Sequence, residues 1–240
     1  MAYLVAVPAS IPPVHTMNPL HTSTILGSTM VFLLLVVGGC ANQATFRILE
    51  KPVVIDQERI DLSLEYLRSR HGMDARTPYI RPTMVVVHWT AVPTLEASYD
   101  VFKKTRLEGR ADILAASTLN VTAQFLVDRD GTIFRLMPDT LFARHTIGLN
   151  HTAIGIENVG SQREPLTSAQ LRANEALIRY LARHHDIRYL IGHHEYHRFR
   201  GSHLWMETDP DYITEKIDPG PTFMKRLRKR LADLDFKEHP

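Results

Sequence analysis

The chain has 240 residues, which is enough for one domain of ordinary size with short appendages. Its content of 44% hydrophobic and 22% charged residues is typical of a globular protein. The formal charge of +2 gives no sign of nucleic-acid binding. The single cysteine, Cys40, excludes an intrachain disulfide and a thiolate zinc site.

The N-terminal segment has the pattern of an exported leader. Residues 1–46 contain no Asp, Glu, Lys or Arg, and residues 30–37 form an unbroken apolar run. That run is too short to cross a bilayer, but it suits the apolar region of a signal peptide. It leads into Val-Gly-Gly-Cys at residues 37–40, which resembles the lipobox of bacterial lipoproteins and predicts lipid attachment at Cys40. By the same resemblance, Ala41 favours sorting to the outer membrane, with the protein facing the periplasm.

The leader departs from that pattern because no basic residue precedes its apolar run. The alternative interpretation is therefore an apolar leader with an incidental cysteine. We predict a signal segment over residues 1–40, a tether over 41–60 and one domain over 61–240.

The rest of the chain alternates between helical and strand patterns. In chain order, these patterns predict a helix over residues 61–70, a strand over 83–88, a helix over 94–106, a hairpin of strands 123–127 and 132–137, a strand over 154–159, a helix over 167–185, a strand over 188–192 and a helix over 223–234. The alternation predicts a single α/β domain in which helices flank a central mixed β-sheet.

Two imidazoles and a carboxylate stand where predicted strands end or a proline-rich loop begins. His88 ends one strand, His193 directly follows another, and Asp218 lies just before Pro219. Two His and one Asp form a three-ligand set that zinc accepts while a fourth position stays open to water. Such a site supports metal-assisted hydrolysis. Lys216, two residues before the Asp, can face an oxygen that becomes negative during attack on a carbonyl.

A further carboxylate, Glu157, lies within the otherwise apolar strand over residues 154–159. An unpaired carboxylate is costly to bury. Glu157 therefore either pairs with a cation, for which Arg144 is the candidate, or faces a water-filled cleft. In a cleft it can take a proton from the attacking water and give it to a leaving amine.

Six motifs occur in order between residues 80 and 225. They are Val86-Val87-His88, Thr122-Ala123-Gln124-Phe125 with Asp130-Gly131, Ala143-Arg144-His145, Ile154-Gly155-Ile156-Glu157, Gly192-His193 and Lys216-Ile217-Asp218-Pro219-Gly220-Pro221. Together they resemble the zinc-dependent type-2 N-acetylmuramoyl-L-alanine amidases, which share their fold with peptidoglycan recognition proteins. The resemblance implies that the chain cleaves peptidoglycan or muropeptides at the amide between the lactyl group of N-acetylmuramic acid and L-alanine.

The resemblance also implies a role for each matching residue. The implied roles are zinc ligands for His88, His193 and Asp218, general base for Glu157, oxyanion stabilisation for Lys216 and a place in the substrate groove for His145. The implied cofactor is Zn²⁺.

The sequence departs from the family in two places. Arg144 stands where the family usually has Trp, and the loop between His193 and Lys216 is longer than usual. Within that loop His194 and His197 are alternative ligands, although His193 alone follows the strand directly. The same loop carries Trp205, which we predict to cover a sugar or peptide face in the groove. A solvated surface insertion is the alternative for this loop.

Two other functions compete with the amidase. A recognition module would bind muropeptides without cutting them, but it has no need for all five of the proposed ligand, base and oxyanion residues. A metal-dependent amidase or peptidase with another substrate is disfavoured by the resemblance alone. We further expect a membrane partner through the N-terminal lipid, no nucleic-acid partner, and a monomer.

Overall fold

The computed structural model describes residues 46–240 of the chain. A mixed six-stranded β-sheet lies at the centre of this part. The strands in chain order are β1 (Ile48–Glu50), β2 (Met84–Trp89), β3 (Phe125–Val127), β4 (Ile133–Arg135), β5 (Ala153–Asn158) and β6 (Tyr189–Gly192). Their spatial order is β1-β4-β3-β5-β2-β6. The hairpin strands β3 and β4 pair antiparallel, and the other neighbours pair parallel. The predicted mixed sheet and the predicted hairpin are therefore confirmed.

The helices of the described residues are α1 (Gln57–His71), α2 (Leu95–Phe102), α3 (Ala111–Leu114), α4 (Ser168–His184) and α5 (Pro221–Arg230). Two 3-10 helices cover His193–Phe199 and Ala232–Leu234. Helix α4 was predicted from local signals, and it forms as expected. Thr167 accepts a hydrogen bond from the backbone of Gln170, whose own side chain returns to the Thr167 backbone in a capping box. None of the helices in residues 46–240 has the length and apolar character needed to cross a bilayer.

The two faces of the sheet bury different parts of the chain. Val85 and Val87 of β2 pack in the core that α4 and α5 cover, whereas Met84 and Val86 pack on the opposite face. Because side chains alternate along a strand, His88 belongs to the face of Met84 and Val86. The candidate site therefore lies on the face away from α4 and α5.

Several boundaries differ from the predicted ones. Within the predicted tether over residues 41–60, β1 pairs with β4 and Val53 is buried, so the domain begins before residue 61. Helix α1 starts at Gln57 because Asp56 caps it. Helix α5 starts at Pro221, a residue well suited to the first helical turn. The predicted signal segment over residues 1–40 lies outside the described residues.

Candidate active site

The sheet register brings three site residues side by side. β2 is paired on one side with β5 and on the other with β6, and His88 lies opposite Glu157. Val87 lies opposite Gly192, so His193 leaves β6 at the level of His88. These strands are parallel, and their carboxyl ends meet at one edge of the sheet, where ligand sites of α/β folds commonly form.

Three donor atoms converge at this edge. The Nδ1 atoms of His88 and His193 are 3.0 Å apart. Asp218 Oδ2 lies 3.1 Å from the Nδ1 of His193 and 3.3 Å from the Nδ1 of His88. All three residues are buried. In the described part of the chain they form a group of His and carboxylate side chains that could hold a metal ion.

The spacing of these donors fits zinc. Ligands at about 2 Å from a tetrahedral zinc ion stand about 3.3 Å from one another. Burial and the neighbouring His193 lower the pKa of His88 to about 4, so its ring is neutral near neutral pH. Burial works to raise the pKa of Asp218, but His193 and His88 hold that pKa well below its usual range. Neutral imidazole and ionised carboxylate are the forms that bind a metal.

The two alternative histidines lie outside this group. The Nδ1 of His194 is 3.0 Å from the backbone oxygen of Asp218, and His197 is exposed on the 3-10 helix. Neither belongs to the cluster formed by His88, His193 and Asp218.

Glu157 and Lys216 face the same cavity as the cluster, which encloses about 490 Å³. One carboxylate oxygen of Glu157 is buried with no hydrogen-bond partner among the described residues. Burial, with a contribution from Asp218, raises the pKa of Glu157 well above its usual range. Burial lowers the pKa of Lys216. A bound divalent cation would lower the pKa of Glu157 again, because its charge favours the carboxylate.

Arg144 does not form the ion pair with Glu157 that is the alternative interpretation of that carboxylate. Its guanidinium is buried and donates hydrogen bonds to the backbone oxygens of Ser117, Leu119 and Ile113, at 2.6–2.9 Å. It also donates to the hydroxyl of Tyr212 at 3.1 Å. Arg144 thus holds the segment around α3 against the cavity, in the place where the family resemblance expects Trp.

Replacing Arg144 with Met is expected to lower the free energy of unfolding by about 3 kcal/mol, because two buried carbonyls and one partly buried carbonyl lose a charged donor. For a domain of this size that loss lowers the melting temperature by roughly 6–12 °C. Calorimetry of the metal-free protein measures it. The exposed Arg172 offers a matched control, and Arg172→Met should stay within about 0.5 kcal/mol of the wild type. Equal losses in the two variants would contradict this account of Arg144.

His145 borders the cavity, but both of its ring nitrogens face protein atoms. Its Nδ1 is 3.1 Å from the Nε2 of His88, and its Nε2 is 3.3 Å from the backbone oxygen of Ala153. Burial, and secondarily His88, lowers the pKa of His145 well below its usual value. His145 therefore contacts His88 through its Nδ1 and also borders the cavity in which the substrate groove is predicted.

The long loop after His193 packs into the domain, which disfavours a solvated insertion. Tyr196 and Phe199 of this loop are buried, and Tyr212 and Thr214 line the cavity. Trp205 stacks on Tyr196, with ring centroids 6.0 Å apart and ring planes 23° apart. Trp205 is not among the residues that border the cavity, so its position gives no support to the predicted substrate contact.

The apolar wall of the cavity has no recognisable signal in the sequence. Apolar side chains from α2, α3 and the segments beside them form it: Val101, Phe102, Leu107, Ile113 and Val121. Short helices and loops build this wall, so no long periodic pattern marks it in the sequence.

Comparisons with solved structures return proteins named as N-acetylmuramoyl-L-alanine amidases and as peptidoglycan recognition proteins. N-acetylmuramoyl-L-alanine amidase LysC from Clostridium intestinale URNW is 19% identical with a TM-score of 0.46, over 80% of this chain and 99% of that chain. Bumblebee PGRP-SA is 18% identical with a TM-score of 0.49, over 81% of this chain and 99% of that chain. N-acetylmuramyl-L-alanine amidase AmiD from E. coli is 22% identical with a TM-score of 0.44, over 66% of this chain and 60% of that chain.

The sequence comparisons match the chain to a protein family but to no individual curated protein. No curated protein matches the chain. The model of the Amidase_2 family, described as N-acetylmuramoyl-L-alanine amidase, matches residues 78–221. This match takes in the predicted ligands, base and oxyanion residue, and it covers more than half of the 240 residues. The chain therefore belongs to the N-acetylmuramoyl-L-alanine amidase family, as the order of its motifs predicts.

Proposed function

We propose that this protein is a zinc-dependent N-acetylmuramoyl-L-alanine amidase. It hydrolyses the amide between N-acetylmuramic acid and L-alanine in peptidoglycan or muropeptides and serves cell-wall turnover. The observation that carries the proposal is the convergence of His88, His193 and Asp218 at zinc-ligand spacing, beside the carboxyl group of Glu157, which has one buried oxygen without a partner among the described residues. Membership of the amidase family supports the reaction class.

The proposed roles divide between the metal and the side chains around it. When bound by His88, His193 and Asp218, zinc supplies a Lewis acid that activates water and polarises a carbonyl. Glu157 accepts the proton of the attacking water at its unpartnered oxygen and passes it to the leaving nitrogen of L-alanine. Lys216, on the same cavity, donates a hydrogen bond to the carbonyl oxygen as negative charge develops there.

The test uses the 240-residue protein and defined muropeptides, with product masses as the readout. The zinc-loaded protein should release the intact stem peptide with a free amine on L-alanine, together with the muramic acid portion. Removing zinc with a chelator should stop the reaction, and adding zinc back should restore it. Binding without cleavage by the zinc-loaded protein would identify the recognition module instead. Cleavage at a different amide would identify another substrate class.

We further propose that the mature protein begins at a lipidated Cys40 and faces the periplasm from the outer membrane. Small residues precede this cysteine directly after an apolar run, which supports processing there. Mass spectrometry of the N-terminal peptide should find lipid on Cys40. The several acyl chains of a lipoprotein would anchor the protein stably in the membrane. Cys40→Ser, the control, should leave the leader uncleaved. An unmodified Cys40 or an intact leader in the wild-type protein would contradict the proposal.

A further inference from the structure

His145 is held by hydrogen bonds to its backbone and by close packing around its ring. The side-chain oxygen of Asn150 accepts hydrogen bonds from the backbone of His145 and of Thr146, at 2.9 and 2.8 Å. The His145 ring lies against Gly155 of β5, where a Cβ atom would come within 2.9 Å of it. The missing side chain at Gly155 thus makes room for the imidazole behind the cluster.

The hydrogen bonds of His145 decide which of its nitrogens carries a proton. A backbone carbonyl only accepts, so the contact with Ala153 needs a proton on the Nε2 of His145. In the neutral ring the Nδ1 is then an acceptor, and it faces the Nε2 of His88 at 3.1 Å. The two rings meet almost at right angles, with an interplanar angle of 87°. His88 must therefore donate from its Nε2, which leaves the Nδ1 of His88 without a proton.

A proton on the Nε2 of His88 competes with the alternative position of that proton, on Nδ1 inside the cluster. Asp218 Oδ2 is 3.3 Å from the Nδ1 of His88 and would accept a hydrogen bond from a proton there. A proton at that position blocks the lone pair that a metal needs. The acceptor provided by His145 favours the opposite tautomer, because a histidine's free nitrogen is determined by the hydrogen bond that its other nitrogen makes.

We propose that His145 is a positioning residue that keeps the proton of His88 on Nε2, so that Nδ1 is free to bind the metal before the metal arrives. This inference rests on the proposed zinc site and deepens it. It also assigns His145 a task different from the substrate contact that the family resemblance implies. The contacts form one chain, from Asp218 and the Nδ1 of His88 through His145 to the backbone oxygen of Ala153.

The test compares two replacements of nearly equal shape, His145→Asn and His145→Leu, in the 240-residue protein. The Asn side chain can place an oxygen acceptor near the position of the lost Nδ1, whereas Leu offers none. Competition with a chromophoric chelator measures the zinc dissociation constant. Loss of the supporting hydrogen bond should weaken zinc binding by about 10–100-fold in His145→Leu, and His145→Asn should stay within about threefold of the wild type. Equal affinities in the two variants would overturn the proposal.

A second measurement separates this inference from the proposed function. Long-range proton–nitrogen spectra of the metal-free, histidine-labelled protein report which nitrogen of His88 carries the proton. We expect Nε2 in the wild type and in His145→Asn, and a shift toward Nδ1 in His145→Leu. The same tautomer in all three proteins would overturn the inference, even where the wild type binds zinc and cleaves muropeptides. A wild type that retains no zinc contradicts the metal site, while the spectra still decide the role of His145. A raised KM in His145→Leu with unchanged zinc affinity would return His145 to the substrate groove.

Discussion

Replacing Glu157 with glutamine is expected to slow cleavage of the muramoyl amide by about 10²–10⁴-fold, the usual contribution of a positioned general base. The glutamine side chain would keep the shape of the original on β5 but could not take up a proton. Muropeptide affinity should change little, because proton transfer belongs to the transition state rather than to the bound ground state. Rates of product formation and a binding isotherm, each at saturating zinc, measure the two effects.

The comparison needs a control with the same change of charge. Glu96 is exposed on α2, so Glu96→Gln removes a carboxylate from the same domain without touching the cavity. Its turnover should equal that of the wild type. Unchanged turnover in Glu157→Gln would refute the assigned base. A parallel loss of zinc and activity in Glu157→Gln would instead place Glu157 among the groups that hold the metal.

Removing any one of the three proposed ligands is expected to abolish bound zinc and turnover together. His88→Ala, His193→Ala and Asp218→Ala each leave two donors, and two donors do not make the three-ligand site that catalytic zinc uses. Zinc content after gel filtration should fall from one equivalent to background. Chelation of the wild type should also lower its melting temperature, since a ligand bound at about 1,000 times its dissociation constant stabilises the native state by about 4 kcal/mol.

The neighbouring histidines provide the control for this experiment. His194 and His197 lie on the same 3-10 helix as His193 but outside the cluster, so His194→Ala and His197→Ala should keep one equivalent of zinc. Retention of zinc by His193→Ala, combined with its loss from His194→Ala or His197→Ala, would show that the ligands were assigned wrongly.

The elements that the sequence predicted well depend on local patterns. Helix α4 has a Thr cap at residue 167 and apolar residues at helical spacing, and both signals lie within the segment itself. Strands β2 and β5 are buried runs rich in β-branched residues. By contrast, β1 has three residues, and its place is set by pairing with β4, which lies far along the chain. Nothing within the segment marks such an edge strand.

For the candidate site, the sequence by itself predicted the residues that we propose for metal binding and proton transfer, because residue type and family motif are local properties. Only the tertiary structure decided how these residues meet. The β5-β2-β6 register places Glu157, His88 and His193 at one sheet edge. The ring of His145 lies against Gly155 and contacts His88, and the carbonyls around α3 accept hydrogen bonds from Arg144. These contacts join residues far apart in the chain, and the geometry that creates them exists only once the sheet has formed.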